Sequence, residues 1–249
     1  MSETFKIDGQ VLATPIEVRD ATNWIATFVV PADAAQRIAD TAGLEVAQMR
    51  PGRALAGLGF VHYTDTDLGS YNEFAFSLIV RRHDAAPATP QQQAKEVRQQ
   101  RMGVYIHRLP VDDVFSMESG RGIWGYPKTL ATFERHDEGR GTTWRLSDGG
   151  IPSLTMRFRR GFIPWMQKST PPTYTTLDGV LRLTRWESNP GRVRSRLGGV
   201  DLQLGEGPIA DELCSLGLPK RPLFSARMDH WRARFSAAEV VRPAAAERR

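Results

Sequence analysis

The sequence predicts a mainly β fold of the α+β class, built around an antiparallel sheet or a barrel. Three observations lead to this prediction. Apolar and polar residues alternate along many short runs, turn-forming residues such as Gly, Pro, Asn and Asp lie between the runs, and few stretches have helical composition. Many short strands with turns between them are typical of antiparallel sheets and barrels.

The N-terminal part contains a strong strand followed by a helix. Trp24–Val30 is an apolar run rich in β-branched residues, and Pro31 ends it. Ala32–Ala39 has the composition of a helix, which we expect to end near Gly43. The strand should therefore lead directly into a short helix.

A hairpin with an elaborated tip is the next expected unit. Leu55–Tyr63 and Glu73–Val80 have the composition of strands, and the loop Thr64–Tyr71 lies between them. Further runs that indicate strands are Met102–His107, Leu130–Arg135, Thr142–Leu146, Ser153–Arg159 and Val180–Trp186. No internal repeat has the length found in solenoids or propellers.

One segment departs from this series of strands. His83–Gln100 combines a proline-containing loop with a polar, glutamine-rich stretch that favours a helix. Because strands flank it, we interpret it as an excursion from one domain and not as a linker between two. It is either a solvated loop or a segment that covers a pocket or contacts another subunit.

The composition is that of one globular domain. The 249 residues are 41% hydrophobic and 24% charged, which supports a substantial core, so we expect a single domain over residues 1–249. The sequence has no run of about eighteen apolar residues and no basic-then-apolar leader, and we expect a cytoplasmic protein with no membrane partner. Cys214 is the only cysteine, which excludes an intramolecular disulfide, and we expect it to be a small core residue.

The net charge of +5 raises the question of a nucleic acid partner. The arginines are dispersed, and several alternate with apolar residues, as in 156–159, which is typical of a strand with one solvated face. Arg192–Arg196 is the best candidate for a basic patch, but it lacks the interleaved aromatic residues that stack on bases. We therefore expect no nucleic acid partner.

The segment Gly120–Lys128 carries the most informative chemistry of the chain. Pro127 has a fixed φ, and Gly122 and Gly125 allow close approaches that a Cβ would block, so Lys128 enters its surroundings from a set direction. The chain has 28 Arg and five Lys, so this lysine is not part of a generic cationic surface. Unlike Arg, a desolvated Lys can lose its proton and become a nucleophile. The alternative interpretation is a lysine at a strand end that points into water.

A second segment, Asp67–Glu73, has the sequence Asp-Leu-Gly-Ser-Tyr-Asn-Glu. Together with Gly-Arg-x-x-x-x-Tyr-Pro-Lys at 120–128, it resembles the acetoacetate decarboxylase family, and similarity extends from about residue 24 to residue 240. The resemblance implies a cone-like β-barrel with a few peripheral helices and a homo-oligomeric assembly. It also implies that Lys128 forms a Schiff base with a small-molecule keto acid and that Glu73 lines the same pocket.

Several positions of the family's pocket differ in this chain. Thr129 stands where the family's decarboxylases have a second lysine, and an alignment without gaps places Leu58 at a second glutamate. The family's substrate-binding arginine corresponds to Arg19 or, in a shifted alignment, the position of Ala21, and Arg121 is a second candidate contact for an anion. We therefore expect a substrate larger or more apolar than acetoacetate.

A solvated lysine titrates near about 10.4 and is protonated at neutral pH. With no second lysine, activation of Lys128 would depend on burial, which disfavours the charged form. Trp124, Tyr126 and either Phe60 or Phe74 are the candidate walls of such a pocket. Ordinary core packing is the alternative interpretation of each aromatic residue.

Once neutral, the Lys128 amine can add to a ketone, and the resulting imine accepts electrons released by decarboxylation, aldol addition or dehydration. Glu73 would move protons or orient the substrate, unless it is a solvated carboxylate in the hairpin. We expect decarboxylation of a β-keto acid, with an aldolase-dehydratase or a non-catalytic ligand-binding protein as alternatives. The histidines lack metal-site spacing, and neither Gly-x-Gly-x-x-Gly nor a phosphate loop is present, so no cofactor is implied.

Overall fold

The structure is a computed structural model that describes residues 2–99, 101–164 and 170–242. Within these ranges the chain is mostly β, which confirms the predicted fold class. The strands are β1 Thr4–Ile7, β2 Gln10–Ala13, β3 Ile16–Pro31, β4 Gln48–Arg50, β5 Arg53–Thr66, β6 Tyr71–Val80, β7 Gly103–Val111, β8 Lys128–Leu130, β9 Thr132–Glu138, β10 Gly141–Asp148, β11 Ile151–Arg159, β12 Thr173–Leu177, β13 Val180–Thr184, β14 Trp186–Asn189, β15 Arg192–Leu197, β16 Val200–Leu204, β17 Phe224–Phe235 and β18 Glu239–Arg242. The helices are α1 Ala32–Ala39, α2 Pro90–Arg98, α3 Val114–Ser119 and α4 Pro208–Ser215, with a 3-10 turn at Asp40–Ala42 and a π-helical turn at Gly120–Trp124.

The large sheet has the strand order β14-β17-β3-β5-β6-β7-β12-β13-β18. Its long strand β3 pairs antiparallel with β17 and β5, and β5 pairs antiparallel with β6. Strand β7 pairs in parallel with β12 and with β8. Among the described strands this path is open, with β14 and β18 at its ends, so the prediction's sheet alternative is observed, as a mostly antiparallel sheet with two parallel pairings at β7.

A second sheet, with the order β16-β11-β10-β9, supplies the partner for one face of the large sheet. Trp144 of β10 contacts Trp24 of β3 edge to face at 5.3 Å and stacks on Phe60 of β5 at 4.9 Å. All three side chains are almost fully buried, and each contributes about 1.5–3 kcal/mol through the burial of apolar surface. Because successive side chains of a strand point to opposite faces, the neighbours of Trp24 and Phe60 face away from this core.

The opposite face of the large sheet borders a cavity of about 870 Å³. Its wall contains two cross-strand pairs of small residues, Gly57 with Ser77 and Gly59 with Ala75. Since none of these residues has a large side chain, the β5–β6 hairpin leaves open space above its surface. The cavity therefore extends along the hairpin that the sequence predicts.

The predicted elements occur in the predicted order, but strands β1, β2, β4, β12 and β15 to β18 and helices α3 and α4 were not predicted, and two predicted runs are divided where the chain changes partner. Helix α1 has the predicted bounds, whereas Leu130–Arg135 is divided at Ala131 and Val180–Trp186 is divided at Arg185. At the first division the chain leaves β7 for the second sheet, and at the second it leaves β12 for β17. Hydrophobic alternation continues through such a change of partner, so it does not reveal the break.

The predicted excursion contains α2, with Gln100 outside the described residues. The Thr89 side chain caps the N-terminus of this helix in a capping box. At the start of the excursion, Arg81 is 3% exposed and forms an ion pair with Glu96 of α2 at 3.3 Å. The excursion is thus tied to the end of β6 by a buried guanidinium group.

Helix α4 corrects one expectation. Its buried positions are Ile209, Ala210 and Leu213, whereas Cys214 is exposed, so the prediction of a core cysteine is wrong. Cys214 follows the last buried position and therefore faces outward on a helix with one apolar stripe. Of the helices in the described ranges, none has the length and apolar character needed to cross a bilayer.

Candidate active site

Lys128 is a buried lysine in the wall of the cavity. It is the first residue of β8 and is 2% exposed. Its Nζ donates to Oγ of Ser116 at 2.8 Å and lies 2.9 Å from Oε2 of Glu73. The centroid of the Tyr71 ring lies 4.9 Å from Nζ, within the range of a cation–π contact. Lys128 is therefore not a lysine that points into water.

The turn before Lys128 determines where its side chain enters the site. Helix α3 continues into the π-helical turn, which Gly125 ends at a φ of 64°, in the left-handed region that favours glycine. The N–H of Tyr126 then donates to the Gly120 carbonyl at 3.1 Å. A Cβ added at Gly120 would be 2.5 Å from Cδ of Lys128, so the lysine stem packs directly on this glycine.

Glu73 is the carboxylate partner and projects from β6. It is 7% exposed, and the hydroxyl of Tyr63 donates to its Oε1 at 3.0 Å. The rings of Tyr63 and Tyr71 stack with their centroids 4.3 Å apart. Burial and, secondly, the charge of Glu73 raise the pKa of both tyrosines well above the ordinary value. Both hydroxyls therefore remain protonated at neutral pH and can act as donors.

Opposing effects act on the pair formed by Lys128 and Glu73. Burial disfavours both charged forms, whereas the 2.9 Å contact between the two groups and the hydrogen bond from Tyr63 favour them. Transfer of one proton from Nζ to the carboxylate would give a neutral amine and a neutral acid without changing the net charge of the cavity. The geometry thus allows the same two groups to be an ion pair or a nucleophile beside an acid.

The structure brings Lys128, Glu73 and Tyr126 together in one cavity wall, with Trp124 beside them. Trp124 and Tyr126 stack with their centroids 5.4 Å apart. The indole N–H of Trp124 also donates to the carbonyl of Ser236 at 2.8 Å, which holds the turn against the C-terminal part of the chain. Both aromatic residues are therefore fixed next to the lysine.

Sequence reasoning missed three residues that contact this pair. Tyr63 and Tyr71 are direct cross-strand partners in the β5–β6 hairpin, so extending the hairpin register from Glu73 identifies both of them. A helix cap fixes the position of Ser116: the Ser116 N–H donates to the Asp113 carboxylate at 2.6 Å. The Asp-x-x-Ser spacing was the available signal for that cap.

Leu58 borders the cavity, but its side chain does not lie on the same face of the hairpin as Glu73. The hairpin register pairs Glu73 with Val61, whereas Leu58 pairs with Phe76. The Leu58 side chain is buried in the core shared with the second sheet, as are Phe60 and Phe74, which are therefore not walls of the lysine pocket. Leu58 and Phe60 are two positions apart along β5, so their side chains lie on the same face of the strand. This is the face away from Glu73.

Thr129 also lies away from the Lys128 amine. It follows Lys128 on β8 and is exposed, because adjacent residues of a strand point to opposite faces. A charged side chain at this position would project into solvent. The expectation that Thr129 shapes the pocket beside Lys128 is therefore wrong.

Neither candidate arginine lies at the lysine. Arg19 pairs with Asp65 at 2.8 Å and with Asp67 at 2.5 Å, and its side chain is 43% exposed on the outer side of β3. These contacts raise the pKa of Arg19, with the Asp67 hydrogen bond as the largest cause. Arg121 is exposed and is not part of the cavity wall, and Ala21, the alternative position, is fully buried and uncharged. Both arginine predictions are thus corrected.

The described part of the chain contains no group of three or more His, Cys, Asp or Glu side chains placed to hold a metal ion. The cavity wall near Lys128 consists mainly of tyrosine, tryptophan and aliphatic side chains, together with the amide of Asn23. The chemistry available there is that of an amine, a carboxyl group, hydroxyl groups and an amide.

Solved structures of three proteins share this fold. An acetoacetate decarboxylase from Legionella pneumophila has a TM-score of 0.65 at 18% identity, covering 92% of this chain and 87% of that chain. An acetoacetate decarboxylase-like enzyme from Sphingomonas wittichii RW1 has a TM-score of 0.62 at 18% identity, covering 94% and 96%. The enduracididine biosynthesis enzyme MppR, complexed with the condensation product of pyruvate and imidazole 4-carboxaldehyde, has a TM-score of 0.61 at 16% identity, covering 92% and 90%.

The comparison with curated proteins finds no match. The sequence profile of the acetoacetate decarboxylase family matches residues 8–242, which include the hairpin, the lysine turn and both sheets. This chain therefore belongs to the acetoacetate decarboxylase family.

Proposed function

We propose that this chain is a cofactor-independent lyase that decarboxylates a β-keto acid through an imine on Lys128. The observation that carries the proposal is the buried amine, which contacts a carboxyl group and a hydroxyl group in a largely apolar cavity. An apolar cavity favours the loss of carboxylate charge that accompanies the release of carbon dioxide. Membership of the family supports lyase chemistry at this lysine.

The proposed reaction begins when Glu73 takes a proton from Lys128. The neutral amine attacks the ketone carbon, one amine proton moves to the carbonyl oxygen, and this oxygen leaves as water after taking the proton held by Glu73, which gives an iminium ion. The bond to the carboxylate carbon then breaks, its electron pair moves toward the iminium nitrogen, and carbon dioxide leaves an enamine. A proton from solvent ends on the enamine carbon, and hydrolysis releases the ketone and restores the amine.

A second candidate is an aldol-type reaction through the same iminium ion. In that case the carbon next to the imine loses a proton and attacks an aldehyde, and water is lost from the product. The observation that favours it is the cavity volume of about 870 Å³, which leaves room for a second carbonyl compound. The fold neighbour MppR, complexed with a condensation product of pyruvate, supports testing this reaction.

Borohydride reduction in the presence of a keto acid panel, followed by intact mass measurement, tests for the imine. We expect a covalent adduct on the wild type and none on Lys128→Arg, because arginine has no neutral amine to offer. The matched control is Lys95→Arg, since Lys95 is exposed on α2. An adduct on Lys128→Arg at the wild-type rate would overturn the assignment, and a wild type that binds keto acids without an adduct would identify a ligand-binding protein.

Product analysis separates the two reactions. Release of carbon dioxide from a β-keto acid alone supports the decarboxylase, whereas an aldehyde-dependent condensation product without carbon dioxide supports the aldolase-dehydratase. Glu73→Gln should slow trapping and turnover by similar factors, because Glu73 acts on the amine before the adduct forms. A much larger loss in turnover than in trapping would indicate that Glu73 transfers protons after the adduct has formed.

A further inference from the structure

Asn23 is a buried polar residue that the chemistry above does not use. It projects from β3 into the cavity and is 5% exposed. Its cross-strand neighbours are Val61 on one side and Met228 on the other, both apolar. Within the described residues its side-chain amide has no hydrogen-bond partner in the protein, and it opens onto the cavity. The amide is therefore available to a ligand bound there.

Most of the other polar side chains at this end of the cavity already have partners. They are Lys128 with Ser116 and Glu73, Tyr63 with Glu73, Tyr71 with Ser116, and Thr66 with the carbonyl of Gly69. The two arginines of the cavity wall, Arg82 and Arg101, lie beyond the end of the β6–β7 pair that is far from Glu73, and Arg19 and Arg121 lie outside the wall. An anionic group bound next to Lys128 therefore needs a neutral donor, and Asn23 has one available.

The position of Asn23 suits a ligand that is attached to Lys128. The register places Asn23, Val61 and Glu73 in one row across β3, β5 and β6. With strands about 4.8 Å apart, the Asn23 and Glu73 backbones are about 10 Å apart on the same face of the sheet. A small acid whose ketone carbon is joined to Lys128, beside Glu73, can extend its carboxylate across Val61 toward the Asn23 amide.

We propose that Asn23 is a substrate-binding residue that donates its side-chain N–H to the carboxylate of the keto acid held on Lys128. This inference rests on the proposed function and names the group that recognises the substrate's charge. A neutral donor orients the carboxylate without the strong ionic stabilisation that an arginine would give to the ground state. Since that charge disappears as carbon dioxide forms, weaker ground-state binding leaves a smaller barrier.

The test compares a keto acid with the ketone that lacks its carboxylate. Butyrylacetate and methyl propyl ketone are the two probes, and the measurement is the concentration that gives half-maximal borohydride trapping. For Asn23→Leu we expect this concentration to rise about tenfold for butyrylacetate, the equivalent of losing one hydrogen bond to a charged group, and to stay unchanged for the ketone. Asn23→Asp keeps the size but replaces the donor by an anion, and should show the same selective loss.

Met228→Leu is the matched control, because Met228 neighbours Asn23 in the same row and the exchange nearly conserves volume. It should leave the ratio of the two probes unchanged. Thermal unfolding without ligand gives a second readout: Asn23→Leu should be at least as stable as the wild type, since it removes an amide without a partner.

The outcomes separate this inference from the proposed function. Equal losses for acid and ketone, or marked destabilisation of both Asn23 variants without ligand, would overturn the role of Asn23 and indicate packing. A wild type that forms no adduct with either probe or with any keto acid would instead overturn the proposed function.

Discussion

Lys128 reaches Glu73 because a residue without a side chain lies against its stem. The Cδ and Cε atoms of Lys128 occupy the space where a Cβ of Gly120 would be, at 2.5 Å and 2.7 Å. The atoms involved belong to a buried stem, between a helix and the first residue of β8, so they have little room to move. Adding one methyl group at Gly120 should therefore displace the Lys128 amine directly.

Gly120→Ala should reduce the rate of imine trapping by about a hundredfold, since a displacement of about 1 Å at a reacting group has that effect. The control is Gly139→Ala, at a position where an added Cβ meets nothing within 4 Å. Circular dichroism and thermal unfolding should show that both variants fold. Wild-type trapping by Gly120→Ala would mean that the amine does not depend on this contact.

Thr129 leads to a prediction opposite to the one that the family pattern suggests. Because Thr129 is exposed on the far side of β8, Thr129→Lys adds a charge to solvent and not to the cavity. The trapping rate should stay within about twofold of the wild type, as for other surface substitutions. A large increase in the rate at neutral pH would show that charge at this position does reach the amine.

At the scale of elements, hydrophobic alternation predicts which segments are strands but not which strand each one pairs with. Helix α1 and the β5–β6 hairpin follow from local patterns of composition and turn residues, and Lys128 and Glu73 follow from the motifs they carry. The positions of Tyr63 and Asn23 depend on strand register, which is set by contacts between segments distant in the sequence, whereas Ser116 depends on a local helix cap whose Asp-x-x-Ser signal was missed. The face on which the Leu58 side chain lies depends on the same strand register.

Helix α4 is joined to β7 by a compact ionic group. The Glu212 carboxylate accepts from Nε of Arg108 at 3.0 Å and lies 3.1 Å from Nε2 of His107. Desolvation raises the pKa of Glu212, but the close contacts with His107 and Arg108 together outweigh it and lower the pKa from 4.5 to about 2. A carboxyl group with a lowered folded-state pKa stabilises the fold above its unfolded value, and this stabilisation is lost as pH falls toward the folded value.

Glu212→Gln should therefore lower the free energy of unfolding by about 2 kcal/mol at neutral pH, through the loss of charge-assisted hydrogen bonds. The difference from the wild type should shrink as pH falls from about 4.5 to about 2, measured by denaturant titration. Glu138→Gln is the control, because the Arg157–Glu138 pair is more than half exposed and should contribute little. If the difference in unfolding free energy between the wild type and Glu212→Gln did not change with pH, the charge of Glu212 would not be what holds α4.

At the scale of the whole molecule, the large sheet has two faces with different functions. The second sheet covers one face with aromatic residues such as Trp144, which stabilises the fold, and the other face retains a cavity. Small residues leave this space, namely Gly57, Gly59 and Ala75. From the sequence alone, such residues indicate only a low preference for strands. The volume of the site was therefore outside what the sequence could predict.

The cavity volume of about 870 Å³ predicts the order of substrates, because pockets of this size bury drug-sized ligands, much larger than acetoacetate. Along the series acetoacetate, butyrylacetate and hexanoylacetate, kcat/KM should rise about fourfold for each methylene group, the equivalent of roughly 0.8 kcal/mol of apolar burial. Ala75→Leu places a larger side chain in the wall two residues from Glu73 and should remove this gain for the longest acid while leaving acetoacetate nearly unchanged. Ala13→Leu, on exposed β2, is the control. If the wild type prefers acetoacetate, or if both leucine variants behave alike, the open space along the β5–β6 hairpin is not where the acyl chain binds.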